Sequence, residues 1–284
     1  MSRGRQEGLE RELALRPDEV RVCILRAPGT NCDRETARCF RDLGVQVSVL
    51  RANELKGDAI ELFDLLVIPG GFSYGDYVRA GALWAKRLFA RFRDAILDHV
   101  ESGRLLLGIC NGFQVLVEAG LLPWTARDGR PTASLAVNAS GRFECRWVVV
   151  RNENRGRCAF TSKIPQGALL KLPVAHSEGR FLLAEREAES NLRRLLENDQ
   201  LVFRYADVEG SPARGVYPYN PNGSYEDIAG VCNEAGNVLG LMPHPERAFY
   251  PWQYASLLGE VRSLPGGSGR LLLESAVEYI CSEL

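Results

Sequence analysis

The sequence is short of the residues that would define several protein classes. It has three histidines, two methionines and no CxxC pair. A zinc site of the usual Cys/His spacing is therefore not expected, because the histidines are also far apart in the chain. No run of residues approaches membrane-spanning length. The first nineteen residues, MSRGRQEGLERELALRPDE, are charged and lack the apolar core of a signal peptide, so the cytoplasm is the expected compartment. Neither sign of charge dominates: 35 basic residues face 36 acidic ones. That balance excludes a general nucleic-acid binder and a polybasic membrane surface. The densest basic stretch, AKRLFARFR at 85–93, places Leu88, Phe89 and Phe92 at helical spacing, which makes it one face of an amphipathic helix.

What remains is an ordinary globular composition, 45% apolar and 25% charged over 284 residues, with eight scattered cysteines. Such a chain can bury a large core. Cys23 and Cys232, inside apolar runs, read as small core residues. The glycosylation patterns at Asn138 and Asn222 carry no meaning in a cytoplasmic protein.

Residues 1–19 read as an extension and 20–284 as one domain. VRVCILRA (20–27) is a buried strand broken by Pro28-Gly29. CDRETARCFRDLG then has Ala37, Phe40 and Leu43 at helical spacing and closes on Gly44. VQVSVL (45–50) and FDLLVIPGG (63–71) are the next strands. GALWAKRLFARFRDAILDHVESG (81–103) is a long helix, RLLLGIC (104–110) a fourth strand and GFQVLVEAG (112–120) a short helix. Continuous apolar strands alternating with helices predict a parallel sheet covered on both faces, with its site at the carboxyl ends of the strands. Pro28-Gly29, Gly70-Gly71 and Cys110 should share that rim. After Leu122 strand-like runs dominate: 143–151, 168–175, 201–206 and a hairpin within 227–243. PGGSG (265–269) reads as a flexible break before a final helix. The fold expected is α/β, flavodoxin-like or Rossmann-like: a mostly parallel sheet with helices on both faces and β-rich additions in the second half.

Three segments carry chemistry. LGICNGFQ (107–114) ends a buried strand on Cys110 and turns at once through Asn111-Gly112, the layout of a strand-turn-helix nucleophile elbow with cysteine as the nucleophile. A helix N-terminus beside the sulfur favours a thiolate. In LGLMPHPERAF (239–249), His244 lies between two prolines with Glu246 two residues on. The prolines disfavour helix, so both side chains are expected to point the same way from an extended segment. The imidazole can take the Cys110 proton and the carboxylate can orient the ring. IPGGFSYGDY (68–77) exposes backbone N–H groups at a strand end, where an oxyanion could bind. Each segment has a plainer reading: a buried structural thiol, a surface histidine near a turn, a glycine-rich turn or a phosphate loop. The last lacks GxxxxGK[ST].

Taken together, these segments resemble the class I glutamine amidotransferases with their Cys-His-Glu triad. PGTNCD (28–33), PGGFSYGDYVRAGA (69–82), GICNGFQVLVEAGLLP (108–123), LPVAHSEGRF (172–181) and DIAGVCNEAGNVLGLMPHPERA (227–248) are similar to the glutaminase subunits of phosphoribosylformylglycinamidine synthases. The resemblance runs from about Val20 to the C-terminus. It implies that Cys110 is the nucleophile, His244 the general base and then acid, and Glu246 its orienter. It further implies that Gly71 and Asn111 give oxyanion N–H groups, Gln114 contacts glutamine and His176 lines the site. The family usually has glycine after that histidine; Ser177 stands here. Segment 120–147 is longer than in short family members, and the extension has no counterpart. No cofactor is expected on this chain; ATP and magnesium would be used by a separate synthetase subunit, the implied partner alongside glutamine, with a small accessory subunit left open. Two alternatives stay open: a DJ-1/PfpI-like cysteine hydrolase, though Asn111 rather than histidine follows Cys110, and a silent glutaminase scaffold.

Overall fold

The computed structural model describes residues 15–55, 57–254 and 267–284. Residues 1–14 of the expected extension and 265–266 of the expected PGGSG break lie outside them. Of that break, residues 268–269 open the final helix.

The first half alternates strand and helix: β1 (Arg21–Arg26), α1 (Asp33–Asp42), β2 (Gln46–Arg51), β3 (Leu65–Ile68), α2 (Ala82–Glu101), β4 (Leu105–Ile109) and α3 (Asn111–Glu118). The second half adds β5 (Ala133–Ala136), β6 (Glu144–Asn152), β7 (Leu169–His176), β8 (Arg180–Leu183), α4 (Ala188–Glu197), β9 (Leu201–Ala206), β10 (Ile228–Cys232), β11 (Val238–Leu241) and α5 (Ser268–Glu283). The short strands β5 and β8, and helix α4, were not read from the sequence. Four-residue strands and a helix with only Leu195 buried carry too little periodicity to stand out.

Nine strands form one sheet in the order β2-β1-β3-β4-β11-β10-β9-β6-β7, with β5 and β8 as a separate pair. Pairing is parallel from β2 to β11 and antiparallel from β11 outward. The β-rich additions therefore extend the parallel sheet itself. Since antiparallel neighbours alternate, β9 and β7 run with the parallel group and only β10 and β6 oppose it. β1, β3, β4 and β11 bury nearly every side chain, as strands covered on both faces must. Helices α1 and α5 pack together, as do α2 and α3, which sit over β3, β4 and β11. Lys86, Arg87 and Arg91 lie on the exposed side of α2, while Leu88, Phe89 and Phe92 enter the core.

The long segment after α3 is pinned to α2 by Arg93, whose Nε donates to the Arg127 carbonyl (3.0 Å) and Nη2 to that of Ala126 (2.5 Å). At the other edge the sheet curls. The Pro173 carbonyl of β7, four strands from β11 in the order, accepts the His244 amide at 2.8 Å. The last strand is thus brought back over the rim of the parallel part. Among the described residues no helix is long and apolar enough to cross a membrane.

Candidate active site

Cys110 sits where β4 meets α3, with φ 50° and ψ −103°. A non-glycine residue in that region carries strain of about 1–3 kcal/mol and persists only where its surroundings enforce it. Here the Cys110 amide donates to the Leu241 carbonyl of β11 (2.8 Å), and its own carbonyl accepts from the Gln114 amide (3.1 Å). The flanking glycines are required by contact. A Cβ on Gly112 would lie 1.8 Å from the Ile68 carbonyl oxygen, and one on Gly108 would lie 2.7 Å from that of Gly112. The corner therefore packs backbone against backbone between β3 and α3. The sulfur is largely buried and lies 3.7 Å from the Ala175 carbonyl of β7.

His244 follows β11 and reaches the same rim. Its Nδ1 and Glu246 Oε1 are 2.6 Å apart, and both side chains are buried. Burial disfavours the imidazolium, but the Glu246 carboxylate and then Cys110 outweigh it and hold the ring's pKa well above its ordinary value. With Nδ1 engaged by Glu246, Nε2 has no hydrogen-bond partner and is the nitrogen left for the thiol. The segment is not extended as expected. Pro245–Ala248 forms a 3-10 turn with His244 just before it. Proline is accommodated at the first position of such a turn because its missing N–H would be unpaired there in any case. That turn, rather than alternation along a strand, brings the Glu246 carboxylate back to the ring. It is clamped by Gln253 Nε2 and the Cys39 thiol, both donating to the Glu246 carbonyl (3.1 and 3.6 Å). Gly269 of α5 also packs tightly on it: a Cβ there would meet the Pro245 carbonyl oxygen at 2.0 Å.

Gly70 and Gly71 form the facing wall. A Cβ on Gly70 would stand 2.7 Å from His244 Cε1, so glycine makes room for the ring. Gly71 has φ +153° and crosses the loop after β1, with Phe72 N donating to the Gly29 carbonyl (2.9 Å). Among the described residues, neither the Gly71 nor the Asn111 amide donates a hydrogen bond within the protein. The Asn111 side chain ties the two walls together: its Oδ1 accepts from Ser73 N (3.2 Å) and its Nδ2 donates to Gln114 Oε1 (2.9 Å). Gln114 Nε2 in turn donates to the Glu178 carbonyl (2.5 Å), so both ends of its amide are engaged by protein groups. Asp76, in the same loop, has its pKa raised to about 6 by burial and by the charge of Glu178.

His176 closes the site from β7. Its Nδ1 lies 3.1 Å from Asn138 Oδ1, its Nε2 is buried without a partner, and its pKa is lowered to about 3 by burial and by the neighbouring His244. Asn138 also donates through Nδ2 to the His176 carbonyl (2.8 Å) and accepts the Gly179 amide (3.0 Å). Asn222 is likewise buried, its Nδ2 donating to the Gly179 carbonyl and to Tyr205 Oη (2.8 and 3.1 Å). The two asparagines of the glycosylation patterns thus hold the AHSEG turn. Sequence reading passed over them because their partners are distant in the chain.

Cys32 was missed for the same reason, although it lies in the PGTNCD segment. Its thiol is 3.9 Å from His244 Nδ1 and 3.2 Å from Arg247 Nη2, and burial pushes it up to about 12 despite the imidazole. Donor atoms of Cys32, His244 and Glu246 lie within 4.8 Å of one another, the one such trio among the described residues. The Arg247 guanidinium beside the sulfur opposes a cation there.

Residues 19–280 match the family of the CobB/CobQ-like glutamine amidotransferase domain. The chain is 41% identical over 275 residues to the phosphoribosylformylglycinamidine synthase subunit PurQ of Archaeoglobus fulgidus, covering 93% of this chain and 98% of the relative. It is 46% identical over 231 residues to that of Thermomicrobium roseum, covering 81% and 88%. The solved structure of PurLQS from Thermotoga maritima has a chain of 34% identity and TM-score 0.67, with 92% of this chain and 99% of that one covered. A likeness of this extent removes the DJ-1/PfpI-like alternative. With the cysteine corner, the His-Glu pair and the glycine wall on one rim, the chain belongs to the glutamine amidotransferases, in the family of PurQ subunits of phosphoribosylformylglycinamidine synthase.

Proposed function

We propose that the chain is the glutaminase subunit of phosphoribosylformylglycinamidine synthase. It hydrolyses glutamine and hands ammonia to a synthetase subunit for the ATP-dependent amidation of formylglycinamide ribonucleotide. The observation that carries the reading is the buried His244–Glu246 pair at 2.6 Å with Nε2 left free beside a strained Cys110.

In the proposed cycle Cys110 loses its proton to His244 Nε2, and the sulfur adds to the side-chain amide carbon of glutamine. The tetrahedral oxyanion is held by the unpaired amides of Gly71 and Asn111, donors fixed before the charge develops. His244 returns the proton to the departing nitrogen, releasing ammonia and leaving a thioester. Water, deprotonated by His244, then splits the thioester into glutamate and free Cys110. Glu246 holds the ring through Nδ1, and Asn111, Gln114 and His176 brace the walls. ATP and magnesium belong to the partner in this scheme, and this chain carries no cofactor of its own.

The relatives are subunits by name, which supports a partner. Ammonia protonates in water and the ammonium ion is not nucleophilic, so a sheltered route to the partner is required. Tyr77 and Val78 are largely exposed in the loop that follows the Gly70-Gly71 wall, where Phe72 is partly exposed as well. We place the docking face there, with Asp76; Tyr74 is half-buried beneath Arg87, so it supports the loop from behind. A cytoplasmic setting is supported by eight cysteines that are all free thiols.

The test is Cys110→Ala in the reconstituted synthase. Glutamine-dependent amidation should fall by roughly 10⁴-fold or more, while amidation from ammonium salts stays at the wild-type rate. Loss of both in a complex that still assembles, or retention of both, overturns the assignment.

A further inference from the structure

We propose that the cavity outside the carboxyl ends of β1 and β2 binds a small phosphate ester, at a site separate from the glutaminase centre. The cavity holds about 480 Å³ and is lined by Arg26, Arg51, Arg87, Thr30, Asn53 and Tyr74 together with the loop after β1. That volume falls in the range of small-molecule sites, roughly 300–1,000 Å³. Cys110, His244 and Glu246 do not line it.

Three arginines line it from three elements: Arg26 ends β1, Arg51 ends β2 and Arg87 lies in the second turn of α2. Arg26 is partly offset by Asp33, whose Oδ2 lies 3.3 Å from its Nε. Among the described residues, Arg51 and Arg87 enter no ion pair, and no carboxylate lines the cavity. Asp33 beside Arg26 and Glu54, whose Oε2 accepts the Arg51 amide at 2.8 Å, offset part of this charge; the positive excess that remains at the cavity favours an anion. Guanidinium forks match phosphate oxygens two at a time. The Arg87 guanidinium lies over the Tyr74 ring, 4.7 Å from its centroid, which restricts where the fork can point. Thr30 Oγ1 accepts from Ala27 N (3.0 Å), leaving the hydroxyl proton to donate into the cavity.

The cavity opens on the carboxyl rim of the sheet. From β1 the chain crosses to β2 on one side, and β3 then pairs on the other. Ligands of open α/β sheets bind outside the carboxyl ends of the strands; the reversal itself falls between β1 and β3, and the cavity lies on the same rim one strand over, between β1 and β2. The wall is formed in advance: Phe72 N donates to the Gly29 carbonyl (2.9 Å) and Tyr74 N to that of Pro28 (2.7 Å). An acidic segment of a partner protein would suit a flat basic face. Cations converging on one bounded cavity suit a compact anion better.

The experiment is isothermal titration calorimetry on the full chain at low salt, with inorganic phosphate, ribose 5-phosphate and adenosine monophosphate as probes and adenosine as the uncharged control. At least one phosphate probe should bind, adenosine should not, and affinity should fall as salt is raised. Arg51→Gln and Arg87→Gln should each weaken binding about tenfold, with thermal melts confirming that both variants are folded, while Cys110→Ala leaves it unchanged. The proposal is overturned if no phosphate probe binds, if binding survives both arginine substitutions in folded protein, or if Cys110→Ala removes it.

Discussion

The centre of the sheet and its outer hairpin are built on different rules. In β3, β4 and β11 every residue is buried, whereas β6 and β7 alternate buried and open positions along their length. The central strands have helices on both faces and little tolerance for extra atoms; the hairpin keeps one face toward solvent. The chemistry divides along the same line. The central strands deliver the thiol, the imidazole and the glycine wall, while β7 contributes the surroundings: the carbonyls of Pro173 and Ala175 and the His176 ring. The rigid, doubly covered region holds the strained corner because only there do neighbours on every side prevent it from relaxing.

Substitutions can break or sharpen that contrast. The largest effect is expected for Gly112→Ala, whose new Cβ would be driven against the Ile68 carbonyl oxygen. A loss of about 3 kcal/mol in denaturant unfolding is expected, and a near-neutral result would mean that the corner is far more compliant than its contacts indicate. One chemical change in both regions comes next. Cys23→Ser puts a hydroxyl into fully buried β1 and should cost about 2 kcal/mol. Cys145→Ser on exposed β6 should stay within about 0.5 kcal/mol. Equal costs would erase the distinction between the two regions.

At neutral pH the smallest effect is that of a buried titrating group, which shows only as a slope on the acid side. The folded pKa of His176 is lowered to about 3 by burial and His244, against about 6.5 in the unfolded chain. The unfolded state therefore takes up the proton first. Stability contributed by the neutral ring is present above pH 6.5 and lost as pH falls toward 3, by up to about 1.4 kcal/mol per pH unit. His176→Gln should flatten the acid side of the stability profile by that amount. His99, lowered to about 4 mainly by burial, keeps a similar slope of its own in both proteins. An unchanged profile would place His176 in contact with solvent.

How far the sequence could be read follows from how local each cause is. The buried strands through Cys110 and the helices between them were legible, because continuous apolar runs and glycine stops act over a few residues. The Cys110 corner was legible too, since Gly108 and Gly112 answer to contacts within the same strand-turn-helix unit and the adjacent strand. The turn that presents Glu246 was misread as extended, because Pro245 permits either an extended chain or the start of a 3-10 turn. Contacts with Gln253, Cys39 and α5 select the turn. Asn138, Asn222 and Cys32 could not be assigned, since His176, Gly179 and His244, the groups they hold in the site, lie at least 38 positions away from them.

By itself, the sequence determined the alternation of buried strands and helices, the sharp cysteine turn and the spacing that puts a carboxylate two residues from the imidazole. Those depend on short-range sterics and on periodicity. The curl that carries β7 from the far edge of the sheet back to His244, and with it the closure of the site around the thiol, was decided by tertiary structure. So was the meeting of three arginines at one cavity. Neither leaves a trace in neighbouring residues, because both arise from strand order and twist, which bring together groups the chain keeps far apart.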